Sequence, residues 1–164
     1  MQEAFYKSAG SLYSSQRTAD TSVIGLSRMA LASATKHKAQ TLSVLVVDDS
    51  EIARQRMAAI LREASIEVHV LPSPIGATRA IMNHGIGIVV ADVMMPGMRG
   101  DRLAALFRSN PRFRNVGVIL VSGADDVELH GLAVDAKADA VLRKSELREL
   151  PALIHKVWKR VQRG

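Results

Sequence analysis

Asp48, Asp49, Asp92, Ser122 and Lys144 are the residues whose types and placement could do joint chemistry. Each follows, or closes, a short apolar run. Three carboxylates brought to one place repel one another, and at least one of them is driven to hold its proton. A bound divalent cation removes that conflict. A ligand set made only of oxygen, with no Cys or His, favours a hard ion, and Mg²⁺ commonly uses one or two carboxylates, several waters and a phosphate. Lys144 is a competing cation in such a pocket. Its presence makes sense if an anion with surplus negative charge, such as a phosphate, enters during function. Ser122 offers that anion a hydroxyl donor. One carboxylate is then the nucleophile, because aspartyl phosphate is an accessible covalent form of this side chain. Asp92 is the better candidate, standing alone at the end of its run before the turn Met94-Met95-Pro96-Gly97.

The runs themselves dictate the scaffold. Val44-Leu45-Val46-Val47, Ile88-Val89-Val90-Ala91, the stretch 116–121 and Ala140-Val141-Leu142 are short and largely β-branched, and each is followed by a helical pattern. Continuous apolar runs alternating with helices indicate a parallel sheet buried on both faces, with working residues at the carboxyl ends of its strands. The pattern predicts strands at 43–47, 67–71, 87–91, 116–121 and 139–142. Helices are predicted at 50–64, 74–84, 101–109, 125–136 and about 149–162. Ser50 is placed to cap the first helix, with Ile52, Met57, Ile60, Leu61 and Ala64 as its inward stripe. Gly85 is a left-handed stop for the second, and Pro151 belongs in the first turn of the last. Leu150, Leu153, Ile154, Val157 and Val161 then face the sheet. The result is five βα units with right-handed crossovers.

Composition narrows the remaining possibilities. The chain has 164 residues, enough for one domain and an appendage, and 48% of them are hydrophobic. The lack of cysteine excludes disulfides and thiolate metal sites. No run approaches the roughly 18 apolar residues of a membrane span, and no signal-peptide pattern opens the chain, so a cytoplasmic location is expected. Residues 1–40 read as a flexible basic tail rich in Ser, Thr and Ala, too polar to offset its ordering entropy, and 41–164 as the folded domain. The tail's acid-poor composition also resembles a transit peptide.

Val44-Leu45-Val46-Val47-Asp48-Asp49-Ser50, the stretch from Asp92 to Gly100, Val121-Ser122-Gly123 and Leu142-Arg143-Lys144 together resemble the signature set of response-regulator receiver domains. The resemblance covers roughly residues 42 to 162. It implies a flavodoxin-like, doubly wound five-stranded parallel sheet of order 2-1-3-4-5. It also implies Mg²⁺ held by Asp48, Asp49, Asp92 and the backbone carbonyl of Met94, with Asp92 as phosphoacceptor and Ser122 and Lys144 on the phosphate oxygens. The implied function is a single-domain response regulator. A histidine kinase or histidine phosphotransfer protein would phosphorylate it, and it would signal to a protein partner through the helix at 125–136, the strand at 139–142 and the helix at 149–162. Such a domain is a phosphoacceptor that assists its own phosphorylation and dephosphorylation, not an enzyme in the usual sense. Three positions depart from the family. Val141 stands where Tyr or Phe is usual, Ser145 where proline follows the lysine, and Lys137 where glycine is common. With Ser145, a cis peptide after Lys144 is not expected.

Other readings fit less well. A flavodoxin would need a phosphate loop where Asp48 and Asp49 stand, and a haloacid-dehalogenase-type phosphatase would need Asp-x-Asp spacing on the first strand. A phosphorylation-independent scaffold built on the receiver fold is the rival, and Val141 and Ser145 are its support. The five histidines (His37, His69, His84, His130 and His155) show no metal-ligand or triad spacing. Arg99, Arg102, Arg108, Arg112 and Arg114 read as a solvated face. Residues 143–164 are basic, with Lys156, Lys159, Arg160 and Arg163 away from the apolar stripe, suiting a solvated helix or an acidic partner. No DNA-binding output domain is expected, and six aromatic residues provide no stacking platform for nucleic acid.

Overall fold

The computed structural model describes residues 42–123 and 137–163. The expected tail at 1–40 and the expected helix at 125–136 lie outside the described residues. Five parallel strands form one sheet: β1 (Ser43–Val47), β2 (Glu67–Leu71), β3 (Ile88–Asp92), β4 (Gly117–Ser122) and β5 (Ala140–Arg143). Their order is β2-β1-β3-β4-β5, so the implied flavodoxin-like topology is borne out. The described helices are α1 (Glu51–Glu63), α2 (Ala77–His84), α3 (Gly100–Ser109) and α4 (Leu150–Val161). Short 3₁₀ turns occupy Pro111–Phe113 and Lys144–Glu149.

Alternation within the apolar runs divides the core in two. Leu45, Val47, Val89, Ala91, Val118 and Leu120 meet Ala77 and Ile81 of α2 and Leu103, Ala104 and Phe107 of α3. Val44, Val46, Ile88, Val90, Ile119 and Val121 meet Met57 and Leu61 of α1 and Leu150, Ile154 and Val157 of α4. Successive side chains of a strand point to opposite faces, so a strand covered on both sides is apolar at every position. β1, β3 and β4 are buried along their whole lengths, whereas the edge strands β2 and β5 are only partly covered. At the base of the sheet Trp158 packs over Gly87, where an added Cβ would stand 2.1 Å from the indole ring.

Several local expectations need correction. Ile52 is 84% exposed and Ala64 is exposed, and Ala58 takes the inward place beside Met57 and Leu61. At 100° per residue, Ile52 lies roughly 140° round the helix from Met57. α2 begins at Ala77 because Gly76, at φ 91°, is left-handed and ends the turn in which Ala77 N–H donates to Pro74. Gly85, at φ 62°, stops that helix as expected. Pro151 lies in the first turn of α4, also as expected. No peptide bond among the described residues is cis.

Arg108 is not part of a solvated face. Its guanidinium bonds the carbonyls of Lys137 at 3.1 Å and Val116 at 3.0 Å and pairs with the Asp139 carboxylate. Asp139 Oδ2 also accepts from Val118 N–H at 2.7 Å, and Oδ1 accepts from Arg160 at 2.9 Å. This clasp joins α3, the start of β4, the approach to β5 and the end of α4. Within it, Lys137 adopts φ 51°, which explains why glycine suits this position. Left-handed backbone costs a side-chain-bearing residue about 1–2 kcal/mol, and glycine gives back roughly 0.5–1 kcal/mol in unfolded-state entropy. Lys137→Gly is therefore expected to raise stability by about 0.5–1 kcal/mol. A higher urea midpoint with an unchanged slope would register it, and a lower one would contradict it.

Candidate functional site

Parallel strands put their carboxyl ends on one edge, and the register aligns the candidate residues there. Val47 stands opposite Ala91, Asp92 opposite Val121, and Ser122 opposite Arg143. Asp48 follows β1, Asp92 closes β3, Ser122 closes β4 and Lys144 follows β5, so all four emerge within about one residue step of the same level. Val93 N–H donates to Val121 at 2.9 Å, which carries the β3–β4 ladder past Asp92.

The structure brings the charged candidates together. Lys144 Nζ lies 3.0 Å from Asp48 Oδ2 and 3.2 Å from Asp92 Oδ2. Carboxylate oxygens of Asp48, Asp49 and Asp92 all fall within 4.8 Å of one another, forming the only such acidic or histidine grouping of three among the described residues. Asp48 is fully buried, Asp92 is 4% exposed and Ser122 is 1% exposed, whereas Asp49 is open to solvent. Ser50 completes the corner. Its N–H donates to Asp48 Oδ1 at 2.8 Å, and its hydroxyl accepts from Ala53 N–H at 3.4 Å to cap α1. Met94 is 61% exposed, and its backbone N–H supports the Asp92 carboxylate.

Burial dominates the electrostatics of Asp92. It pushes the carboxyl above its ordinary value, against the opposing pull of Lys144, and the nearby charge of Asp48 adds to the upward push. For Lys144, burial works to lower the value. The contact with Asp48 and the charges of Asp92 and Asp48 outweigh it and hold the ammonium above its ordinary range. One lysine thus touches two carboxylates of a cluster of three. Asp48 Oδ2 is buried with the ammonium nearby but with no donor aligned for a good hydrogen bond, a setting suited to a further cation. The all-oxygen donor set matches a hard divalent ion.

Two supporting residues were not singled out from sequence. Arg54 donates to the carbonyl of Asp48 at 2.8 Å. Gly100 lies against the backbone of Asp92, where a Cβ would come within 2.3 Å of the Asp92 carbonyl oxygen, and its N–H bonds Val93 at 3.1 Å. The Arg54 contact depends on how the side chain of the first helical turn reaches back to the end of β1, and the Gly100 contact on how the loop after Asp92 folds back, and residue spacing alone shows neither. Val141, in the position usually aromatic in the family, is partly buried against the α2–α3 side of the core. His69 and His84 stack on each other with centroids 4.2 Å apart, and His155 is exposed, while His37 and His130 lie outside the described residues.

The sequence profile of the response regulator receiver domain matches residues 44–155. A gliding motility regulatory protein of Myxococcus xanthus is 34% identical over 109 residues, covering 66% of this chain but 14% of that protein. The chain therefore spans a small part of that relative's length. The structure of a Francisella response regulator receiver domain superposes with a TM-score of 0.65 at 27% identity, over 73% of this chain and 98% of that one. The Vibrio cholerae chemotaxis protein CheY4 shares the fold with a TM-score of 0.64 at 22% identity, over 71% and 98% of the two chains. Among the described residues no helix is long and apolar enough to cross a membrane.

Proposed function

The chain belongs to the response regulator receiver family of two-component signalling, and on that premise we propose that Asp92 is its phosphoacceptor. The observation that carries this reading is Lys144 Nζ between Asp48 and Asp92 in a buried acidic pocket. A histidine kinase or histidine phosphotransfer protein is the donor. A carboxylate oxygen of Asp92 attacks the phosphorus of its phosphohistidine, the P–N bond breaks, and the imidazole leaves with the bonding pair. Asp48, Asp49, Asp92 and the Met94 carbonyl are the ligands for Mg²⁺, which when bound offsets charge on the transferring phosphoryl group. Lys144 moves its charge from the two carboxylates to the new phosphoryl oxygens, and Ser122 donates to another of them. The positioned groups do most of the work, since phosphoryl transfer needs mainly alignment and charge stabilisation.

Incubation with a small-molecule phosphodonor and Mg²⁺, followed by intact-mass measurement, tests the reading. The mass should rise by one phosphoryl group, and only with the metal present. An unchanged mass with several donors would overturn it.

The downstream partner is a protein that docks on β5, α4 and the segment 125–136. A groove of about 440 Å³ supports this, with Ala140, Leu153 and Val157 in its floor and Lys156, Lys159 and Arg163 at its rim. One observation favours a scaffold that acts without phosphate. Val141 has few rotamers and no ring to swing between exposed and buried positions. A ligand shifts an equilibrium only by its differential affinity for the two states, so a pocket with no aromatic latch should switch weakly. The gain in partner affinity or self-association on adding beryllofluoride is expected to stay below about a hundredfold, roughly 2.7 kcal/mol of coupling. A larger gain would show that Val141 does not limit the switch.

A further inference from the structure

The corner between β1 and α1 holds a contact that the phosphoacceptor reading does not use. Arg54, in the first turns of α1, donates from Nη1 to the carbonyl oxygen of Asp48 at 2.8 Å. Two other polar atoms of Asp48 are hydrogen-bonded, and the third has only the lysine ammonium beside it. Its N–H reaches Leu71 at 3.3 Å, Oδ1 accepts from Ser50 N–H at 2.8 Å, and Oδ2 faces Lys144 at 3.0 Å. The peptide bond is planar, so holding the Asp48 carbonyl also holds the plane that leads into Asp49. Arg54 thereby restrains the peptide plane that joins the two carboxylate-bearing residues.

We propose that Arg54 is a positioning residue for the divalent-cation site, holding Asp48 and Asp49 in the narrow arrangement that Mg²⁺ requires. This rests on the Mg²⁺ reading above. Mg²⁺ demands nearly ideal octahedral geometry at about 2.0–2.1 Å, whereas Ca²⁺ accepts more ligands at about 2.3–2.6 Å in flexible arrangements. Loosening the corner should therefore harm Mg²⁺ more than Ca²⁺. Simple electrostatics predicts the opposite sign. A guanidinium beside the pocket repels every divalent cation, so removing its charge would tighten both ions alike.

Calorimetric titration of the full chain with Mg²⁺ and with Ca²⁺ separates the two cases, using wild type, Arg54→Met, Arg54→Lys and Arg56→Met. Arg56 is exposed on the same helix and serves as a charge control. Arg54→Met should weaken Mg²⁺ binding about tenfold or more, as loss of an outer-shell partner commonly does, with a clearly smaller loss for Ca²⁺. Arg54→Lys keeps a donor on a shorter head and should fall between Met and wild type. Arg56→Met should leave the preference between the ions unchanged. Thermal unfolding without metal checks the fold, and if Arg54→Met is unfolded, Arg54→Lys carries the same comparison. Tighter or unchanged Mg²⁺ binding in the Arg54 variants, or equal losses for both ions, would overturn the inference while leaving the metal site standing. A wild-type chain that binds no Mg²⁺ would overturn the metal reading and this inference with it.

Discussion

Replacing Asp92 with Asn is expected to reduce phosphodonor labelling to background while leaving the domain folded. The substitution keeps the shape of the side chain and removes the anionic oxygen that the proposed attack on phosphorus requires. Folding should survive for an electrostatic reason. Burial raises the Asp92 carboxyl above its ordinary value, so the folded state binds this proton more tightly than the unfolded chain does. Stability from this group is present at low pH and declines as pH rises through the shifted value, because the charged form is the one that burial disfavours. A neutral amide removes that charged form. It also removes one of the two carboxylates touching Lys144, but Asp48 remains at 3.0 Å. Acid-labile phosphate on the Asp92→Asn protein at the wild-type level, with a wild-type unfolding curve, would place the acceptor elsewhere.

Asp139→Ala is expected to cost about 3 kcal/mol of folding stability. The Asp139 side chain is 18% exposed and that of Arg108 is 20% exposed, so their pair lies largely away from water. Alanine leaves the guanidinium with its two carbonyl contacts but no counter-charge, and it strips Val118 N–H of its carboxylate acceptor. Breaking a buried pair on one side costs more than the pair is worth, because the remaining charge stays desolvated. Arg160 is 60% exposed, so Arg160→Ala should cost well under about 1 kcal/mol. Chemical denaturation measures both. A loss below about 1 kcal/mol for Asp139→Ala would show that the clasp behaves as a surface ion pair. The labelling chemistry should persist in the folded fraction, because the clasp lies at the opposite end of the strands from Asp92.

The contrast between these two residues shows what the chain discloses before it is folded. Asp92 was legible because a parallel sheet buried on both faces turns apolar runs into strands and sends the next polar residue to a known edge. Asp48, Ser122 and Lys144 followed by the same rule, and the structure places all of them there. Asp139 was not legible. Its partners are Arg108 and Arg160, 31 and 21 residues away, and no local pattern encodes contacts made by the end of one helix with the start of another strand. Ile52 failed for a different reason, since apolarity in a short helix does not fix direction, and its angle about the axis faces solvent. Gly76 cut α2 short because a left-handed residue was needed before Ala77, and glycine signals that option without requiring it.

The placement of Trp158 over Gly87 has a consequence for how this protein can be watched. It is the chain's single tryptophan, and it sits where β3 begins, whereas Asp92 sits where that five-residue strand ends, about 16 Å away. Its emission will follow the detachment of α4 from the sheet, which makes it an optical gauge of global unfolding. The same distance leaves it outside the electronic reach of anything entering the acidic edge. Titrations of that edge therefore call for a signal placed there, such as a fluorophore attached at the exposed Met94 position or amide resonances of Asp49 and Ser50.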